Sequence, residues 1–172
     1  MIKSIYKIGV YFLFYVAIQV LMLNNIHLFR IATPLLYLYV IVKMPTNITR
    51  SKAIIISFML GIVMDIFTNT LGMHAAACAL AGMFLDPIMY SFSGKELLEE
   101  VSPSYRTLGV RAFMKYVFLL VAIHHIALFS IESISFFDPV FLLLRIFACM
   151  ILTTLLIFIV ETFNIERKSG ET

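Results

Sequence analysis

"GIVMDIFTNTLGMHAAACALAGMFLDP", residues 61–87, is apolar enough to lie in lipid, yet it carries Asp65, Asp86 and His74 beside the glycines Gly61 and Gly72. A charged side chain at mid-span costs roughly 2.5–3.5 kcal/mol on insertion scales, and each Leu or Ile returns only a few tenths. A span that keeps such a residue needs a structural or a functional reason.

The rest of the chain supports the lipid reading. Hydrophobic residues make up 62% and charged residues 13%, where a soluble domain carries about a quarter charged residues. The 172 residues amount to one domain, much of it in runs long enough to cross a hydrocarbon core about 30 Å thick. The runs are continuous rather than alternating, which predicts helices and not barrel strands. Six spans are expected, over 5–23, 28–42, 53–67, 71–92, 110–131 and 140–163, in a single domain over 1–172 that forms a compact all-α integral membrane bundle. The basic start followed by an apolar run too long for a signal h-region, with no small-x-small cleavage site, is read as a retained first span.

With no tryptophan, an interfacial belt has to come from the eight tyrosines. A net charge of +3 is too small to indicate nucleic acid. Cys78 and Cys149 lie in apolar runs and read as small hydrophobes. With both termini cytoplasmic, every Lys and Arg except Arg30 and Arg145 falls on the inner side, and those two fall within spans. The positive-inside rule thus predicts an N-in, C-in topology.

Helical rise turns this topology into depth. Asp65, thirteen residues beyond Lys52, stands about 20 Å above the inner face, and Arg30, thirteen before Lys43, reaches about the same height. Gln19 is about 18 Å up the first span, and Arg145 lies about 9 Å below Pro139. These residues predict a polar layer in the outer half of the bundle. Asp65 is expected to pair with Arg30 or, failing that, with Arg145, either as a packing lock or as a ligand or proton site. Gly61, one turn below Asp65 on the same face, is expected to let a neighbouring helix close, and the alanine-rich fourth span favours tight helix contact.

Asp86 and Glu161 are placed near the inner boundary, Asp86 within reach of Lys115 or Arg111, with Pro87 kinking or ending its helix. His124 and His125 point about 100° apart, so they read as hydrogen-bonded packing residues rather than a metal pair. There is no P-loop, GxSxG or HExxH pattern. The expectation is a protein that is not an enzyme and has no cofactor and no metal site.

Gly61-x-x-x-Asp65, the break at Thr68-Asn69-Thr70, Leu71-Gly72-x-His74 and the small-residue helix that follows resemble the signature region of the rod shape-determining MreD family. Chain length, six spans, Pro34 in a short second span and a polar stretch before the fifth are similar to that family in outline. The resemblance implies a non-enzymatic scaffold in the bacterial inner membrane, within the elongation complex that builds lateral peptidoglycan and regulates cell shape. Its implied partners are an MreC-like bitopic protein and, through it, an MreB-like filament, a RodA-like glycosyltransferase and a penicillin-binding transpeptidase. The proposed intramembrane packing site comprises Gln19, Arg30, Gly61, Asp65, Gly72, His74 and Arg145. The alternative is a subunit like the substrate-binding S components of vitamin transporters. Ala17 is the only alanine on the first span, which counts against the alanine-rich coupling face of that class.

Overall fold

The computed structural model describes residues 2–25, 32–93, 102–133 and 138–169. Among them the chain is helical, with no strand. Helix α1 is Ile2–Leu21 and ends in a 3-10 turn, Leu23–Asn25; a second 3-10 turn, Leu36–Leu38, leads into the single turn α2, Tyr39–Val42. Then follow α3, Arg50–Thr68; α4, Met73–Ser93; α5, Tyr105–Leu108; α6, Val110–Glu132; and α7, Pro139–Ser169. Four of these, α3, α4, α6 and α7, are long and apolar enough to cross a membrane, and the described apolar part of α1, Ile8–Leu21, is shorter. Their outward faces carry exposed large hydrophobics such as Leu13, Ile66, Phe147 and Phe163. A protein surrounded by water rarely presents so much contiguous apolar surface, whereas lipid accepts it.

Helices α3 and α4 form an antiparallel hairpin whose contact face is set by small residues. Ala53, Ser57, Gly61 and Asp65 recur every four residues on α3, and all are buried. A Cβ on Gly61 would stand 2.5 Å from the His74 carbonyl oxygen, and one on Gly82 would stand 2.6 Å from the Ser57 hydroxyl oxygen. The two backbones therefore touch where side chains are missing, as small-xxx-small faces permit in lipid. The expected closure at Gly61 is present, and its partner is the first turn of α4.

The expected second span, 28–42, is not a continuous helix over its described part. Residues 32–35 are non-helical, followed by the 3-10 turn and then by the single turn of α2. Pro34 lacks an N–H and disfavours helical backbone at the residue before it, which keeps the start of the segment non-helical. Apart from the half-buried Thr33, residues 32–46 are all buried, with Tyr37, Leu38, Tyr39, Ile41 and Val42 fully enclosed. Irregular backbone survives at membrane depth only when protein surrounds it and satisfies its polar groups. Here Leu35 N–H donates to Thr153 Oγ1 (3.0 Å), Leu36 N–H to Gln19 Oε1 (2.7 Å), and the Tyr116 hydroxyl to the Val42 carbonyl (3.2 Å). Helices α1, α7 and α6 thus replace the hydrogen bonds that a helix would have made internally.

Pro87 was expected to kink or end its helix. It lies inside α4, which continues to Ser93, so the proline does not end the helix. The cation whose charge reaches Asp86 is Arg50, at the start of the antiparallel α3, and among the described residues no salt bridge joins Asp86 to Lys115 or Arg111.

Candidate functional site

The α3–α4 turn lies at one end of the bundle, the upper end, and it explains Asp65. Asn69 closes α3 in the left-handed conformation (φ 55°), and Gly72 sits at φ 77° immediately before α4. Gly72 is the residue from which α4 starts, since its carbonyl accepts from Ala76 N–H (3.0 Å). The first turn of a helix leaves its N–H groups without internal partners, and a side chain at the cap position usually accepts from the second or third of them. Glycine has no side chain to offer. Asp65 of the preceding helix supplies the acceptor instead: Oδ1 takes His74 N–H (3.0 Å) and Oδ2 takes Ala75 N–H (2.9 Å). The Thr70 hydroxyl adds a third donor to Oδ1 at 2.5 Å. The carboxylate also lies at the positive end of the α4 dipole, where a negative charge is favoured.

His74 and Arg145 come to a common cavity, but Arg145 is not Asp65's partner. It pairs with Glu132 at the end of α6 (Nη1 to Oε1, 2.8 Å) and stacks over Phe129 (4.7 Å). The pairing expected first, with Arg30, lies outside the described residues. Gln19 is fully buried and behaves like an extra peptide group for residues 34–37. Its Nε2 donates to the Pro34 carbonyl and to Asn24 Oδ1, both at 2.9 Å, while its Oε1 accepts from Leu36. Of the expected polar layer, then, Gln19, Asp65 and Arg145 are each satisfied by a separate group.

Below His74 lies a buried relay. The Tyr37 hydroxyl bonds His74 Nδ1 (2.8 Å) and His124 Nε2 (3.0 Å), with Cys78 Sγ 3.6 Å from the same Nε2. Among the described residues, the buried His124 Nδ1 has no hydrogen-bond partner. An orphaned N–H is rarer in proteins than an under-used acceptor, so the proton of His124 is assigned to Nε2, which donates to Tyr37. Tyr37 then donates to His74 Nδ1, and the His74 proton sits on Nε2. His125 donates to the Val121 carbonyl through Nδ1 (2.9 Å), and its Nε2 meets Thr153 Oγ1 (3.3 Å). Both histidines are hydrogen-bonded packing residues.

The upper cavity, about 390 Å³, is bordered by Asn24, Thr33, Thr70, His74, Glu132 and Arg145, together with apolar side chains. A second cleft of about 450 Å³ adjoins it and shares Phe129, Glu132 and Arg145.

At the opposite end, Glu161 is buried within the protein, with 1% exposure. Lys43 Nζ approaches both its oxygens at 3.2 Å and donates to the Pro103 carbonyl at 2.5 Å. The Tyr39 hydroxyl donates to Oε2 (2.5 Å) and accepts from Asn164 Nδ2 (2.8 Å). Arg145 and Glu161 stand sixteen residues apart on α7, about 24 Å, so the two polar clusters lie nearly one hydrocarbon thickness apart. Sequence reasoning missed this lower cluster because Lys43 borders a polar loop and reads as an ordinary flanking cation.

Comparison with protein-family models, with curated proteins and with solved structures finds no match to this chain.

Proposed function

We propose that this chain is a non-enzymatic, six-pass scaffold of the bacterial inner membrane, serving the cell-elongation complex that builds lateral peptidoglycan and regulates cell shape. The observation that carries the reading is what the buried polar groups do. Gln19, Asp65, Thr153 and Glu161 all hold backbone or a neighbouring side chain in place, which is the chemistry of a rigid body. The broad apolar helix faces leave room for other membrane proteins, namely an MreC-like partner and, less directly, a RodA-like glycosyltransferase, a penicillin-binding transpeptidase and an MreB-like filament. In this reading α1 and the buried segment 32–42 supply the two crossings beyond the four long apolar helices. Both termini are cytoplasmic, in keeping with the distribution of Lys and Arg.

Depletion in a rod-shaped host is expected to give round or swollen cells that still make wall precursors. Reporter fusions at residue 172 and within 93–106 are expected to read cytoplasmic, and fusions near Asn25 or Ser133 periplasmic. The upper cavity favours a second reading, a substrate-binding subunit of a transporter. Normal shape with loss of uptake of one vitamin on depletion would establish that reading and reject the scaffold.

A further inference from the structure

The upper cavity is lined by both polar and hydrocarbon side chains. The donors can be assigned from the backbone outward. The Pro34 carbonyl and the Leu36 N–H fix the orientation of the Gln19 amide. Gln19 Nε2 then claims Asn24 Oδ1, so Asn24 has its amide N–H groups left to offer. The tautomer set by Tyr37 and the orphaned His124 Nδ1 leaves His74 with its proton on Nε2, the ring nitrogen not held by Tyr37. Arg145 carries five N–H donors, more than one carboxylate can use. The nearby carboxylates are already engaged: Glu132 with Arg145, and Asp138 with the Val140 and Phe141 N–H groups at the start of α7. The apolar part of the lining is Phe67, Met73, Leu128 and Phe129, the last directly beneath the Arg145 guanidinium. The Arg145 and Glu132 side chains, 34% and 39% exposed, stand where the cavity meets the neighbouring cleft.

We infer that this cavity binds the anionic head of an amphiphile, a phosphate or carboxylate held by Arg145, His74 and Asn24, with the first part of its apolar body against Phe67, Met73 and Phe129. The volume is within the range of small-molecule sites, which are mostly apolar with a few convergent polar groups. The inference goes beyond the scaffold reading and does not depend on it, since a scaffold can carry a ligand without transporting it. The same chemistry has two sources, a phospholipid of the surrounding bilayer and a free amphiphilic anion.

The test uses the full-length protein purified in a neutral detergent, with octyl phosphate as probe and inorganic phosphate and octyl glucoside as controls. Octyl phosphate is expected to raise the melting temperature saturably, inorganic phosphate to do so only weakly, and octyl glucoside not at all. Arg145→Gln is expected to weaken octyl phosphate by about tenfold or more, the loss of one charge-assisted contact. Phe67→Ala, at a residue that is largely exposed, is expected to weaken octyl phosphate while leaving inorganic phosphate unchanged, and it serves if Arg145→Gln does not fold. Native mass spectrometry from nanodiscs with and without phosphatidylglycerol separates the sources. Phosphatidylglycerol retained by the wild type and lost in Arg145→Gln assigns the site to a lipid. Octyl phosphate binding without lipid retention assigns it to a free amphiphile. A response to octyl phosphate equal to that to octyl glucoside, or unchanged in both variants, overturns the inference. Loss of cell shape or of uptake plays no part in this readout, so failure of the proposed function would not be mistaken for failure here.

Discussion

Asp65 and Glu161 are both carboxylates buried in a membrane-spanning bundle, at 7% and 1% exposure, and they are stabilised in opposite ways. Asp65 meets neutral donors of its own hairpin, nine and ten residues away. Its charge is balanced by the N-terminal dipole of α4, and it acts as the cap that Gly72 cannot be. Glu161 meets an ammonium and a phenol from a segment more than a hundred residues away. It fastens residues 39–43 to α7 and, through Lys43, to the Pro103 carbonyl. One carboxylate shapes a local turn, whereas the other is a long-range cross-link of an irregular segment. The charge alone does not distinguish them, but the partner does.

The largest effect is expected at the cross-link. Lys43→Ala or Glu161→Ala removes one charge of a buried ion pair, which costs about 3–5 kcal/mol. Either is expected to lower the melting temperature or the yield of detergent-purified protein severely. Lys43→Met combined with Glu161→Leu removes both charges and is expected to be milder than the sum of the single changes. Additive losses in that double variant would break the contrast by showing that the two residues act separately.

Close approach in the hairpin comes next. Gly61→Ala drives a methyl group into the backbone of His74 and Ala75, which cannot rotate away as a side chain would, so a loss of about 1–3 kcal/mol or more is expected. Gly9, also inside a helix, has nothing within 4 Å of the point a Cβ would occupy; Gly9→Ala is expected to stabilise by about 0.5–1 kcal/mol through helix propensity. Equal melting temperatures for the two alanine variants would mean that the α3–α4 contact is looser than described.

Much of this architecture is readable in the sequence. The helices α3, α4, α6 and α7 agree with the expected spans to within a few residues, because long apolar runs in lipid have little choice but to be helical. The close contact at Gly61 and the packing role of His124 and His125 were also legible. The stripe Ala53-Ser57-Gly61 is visible in the sequence too, although looking only for paired glycines passes over it. Three features were not legible. The irregular 32–46 segment depends on Gln19, Thr153 and Tyr116 arriving from three other helices, and no local pattern announces such acceptors and donors. Lys43 and Glu161 join only through tertiary structure. Asp65 was expected to pair with Arg30 or Arg145; Arg145 goes to Glu132 instead, and the donors at the start of the next helix are signalled only by a glycine where a capping side chain would ordinarily stand.

That glycine gives the smallest and most discriminating prediction. Asp65→Asn turns one of the two accepting oxygens into an NH2 donor, so the N–H that faces it loses its acceptor, and the charge that faces the helix dipole is lost. A loss of about 1 kcal/mol is expected, well below that at Glu161. Asp65→Ala is expected to lose about 2 kcal/mol at most on the same basis, and moving the carboxylate to the ordinary cap position is not expected to restore it. Gly72 sits at φ 77°, a conformation that a non-glycine residue adopts only under strain, so Gly72→Asp in the Asp65→Ala background is expected to destabilise further. Recovery in that double variant would show that the turn can relax and that Asp65 is a replaceable cap. If Asp65→Asn proves as damaging as Glu161→Ala, the carboxylate has a buried cation for a partner and the contrast between the two sites fails. If instead Asp65→Asn melts like the wild type but no longer supports rod shape, the carboxylate does work beyond holding α4 in place.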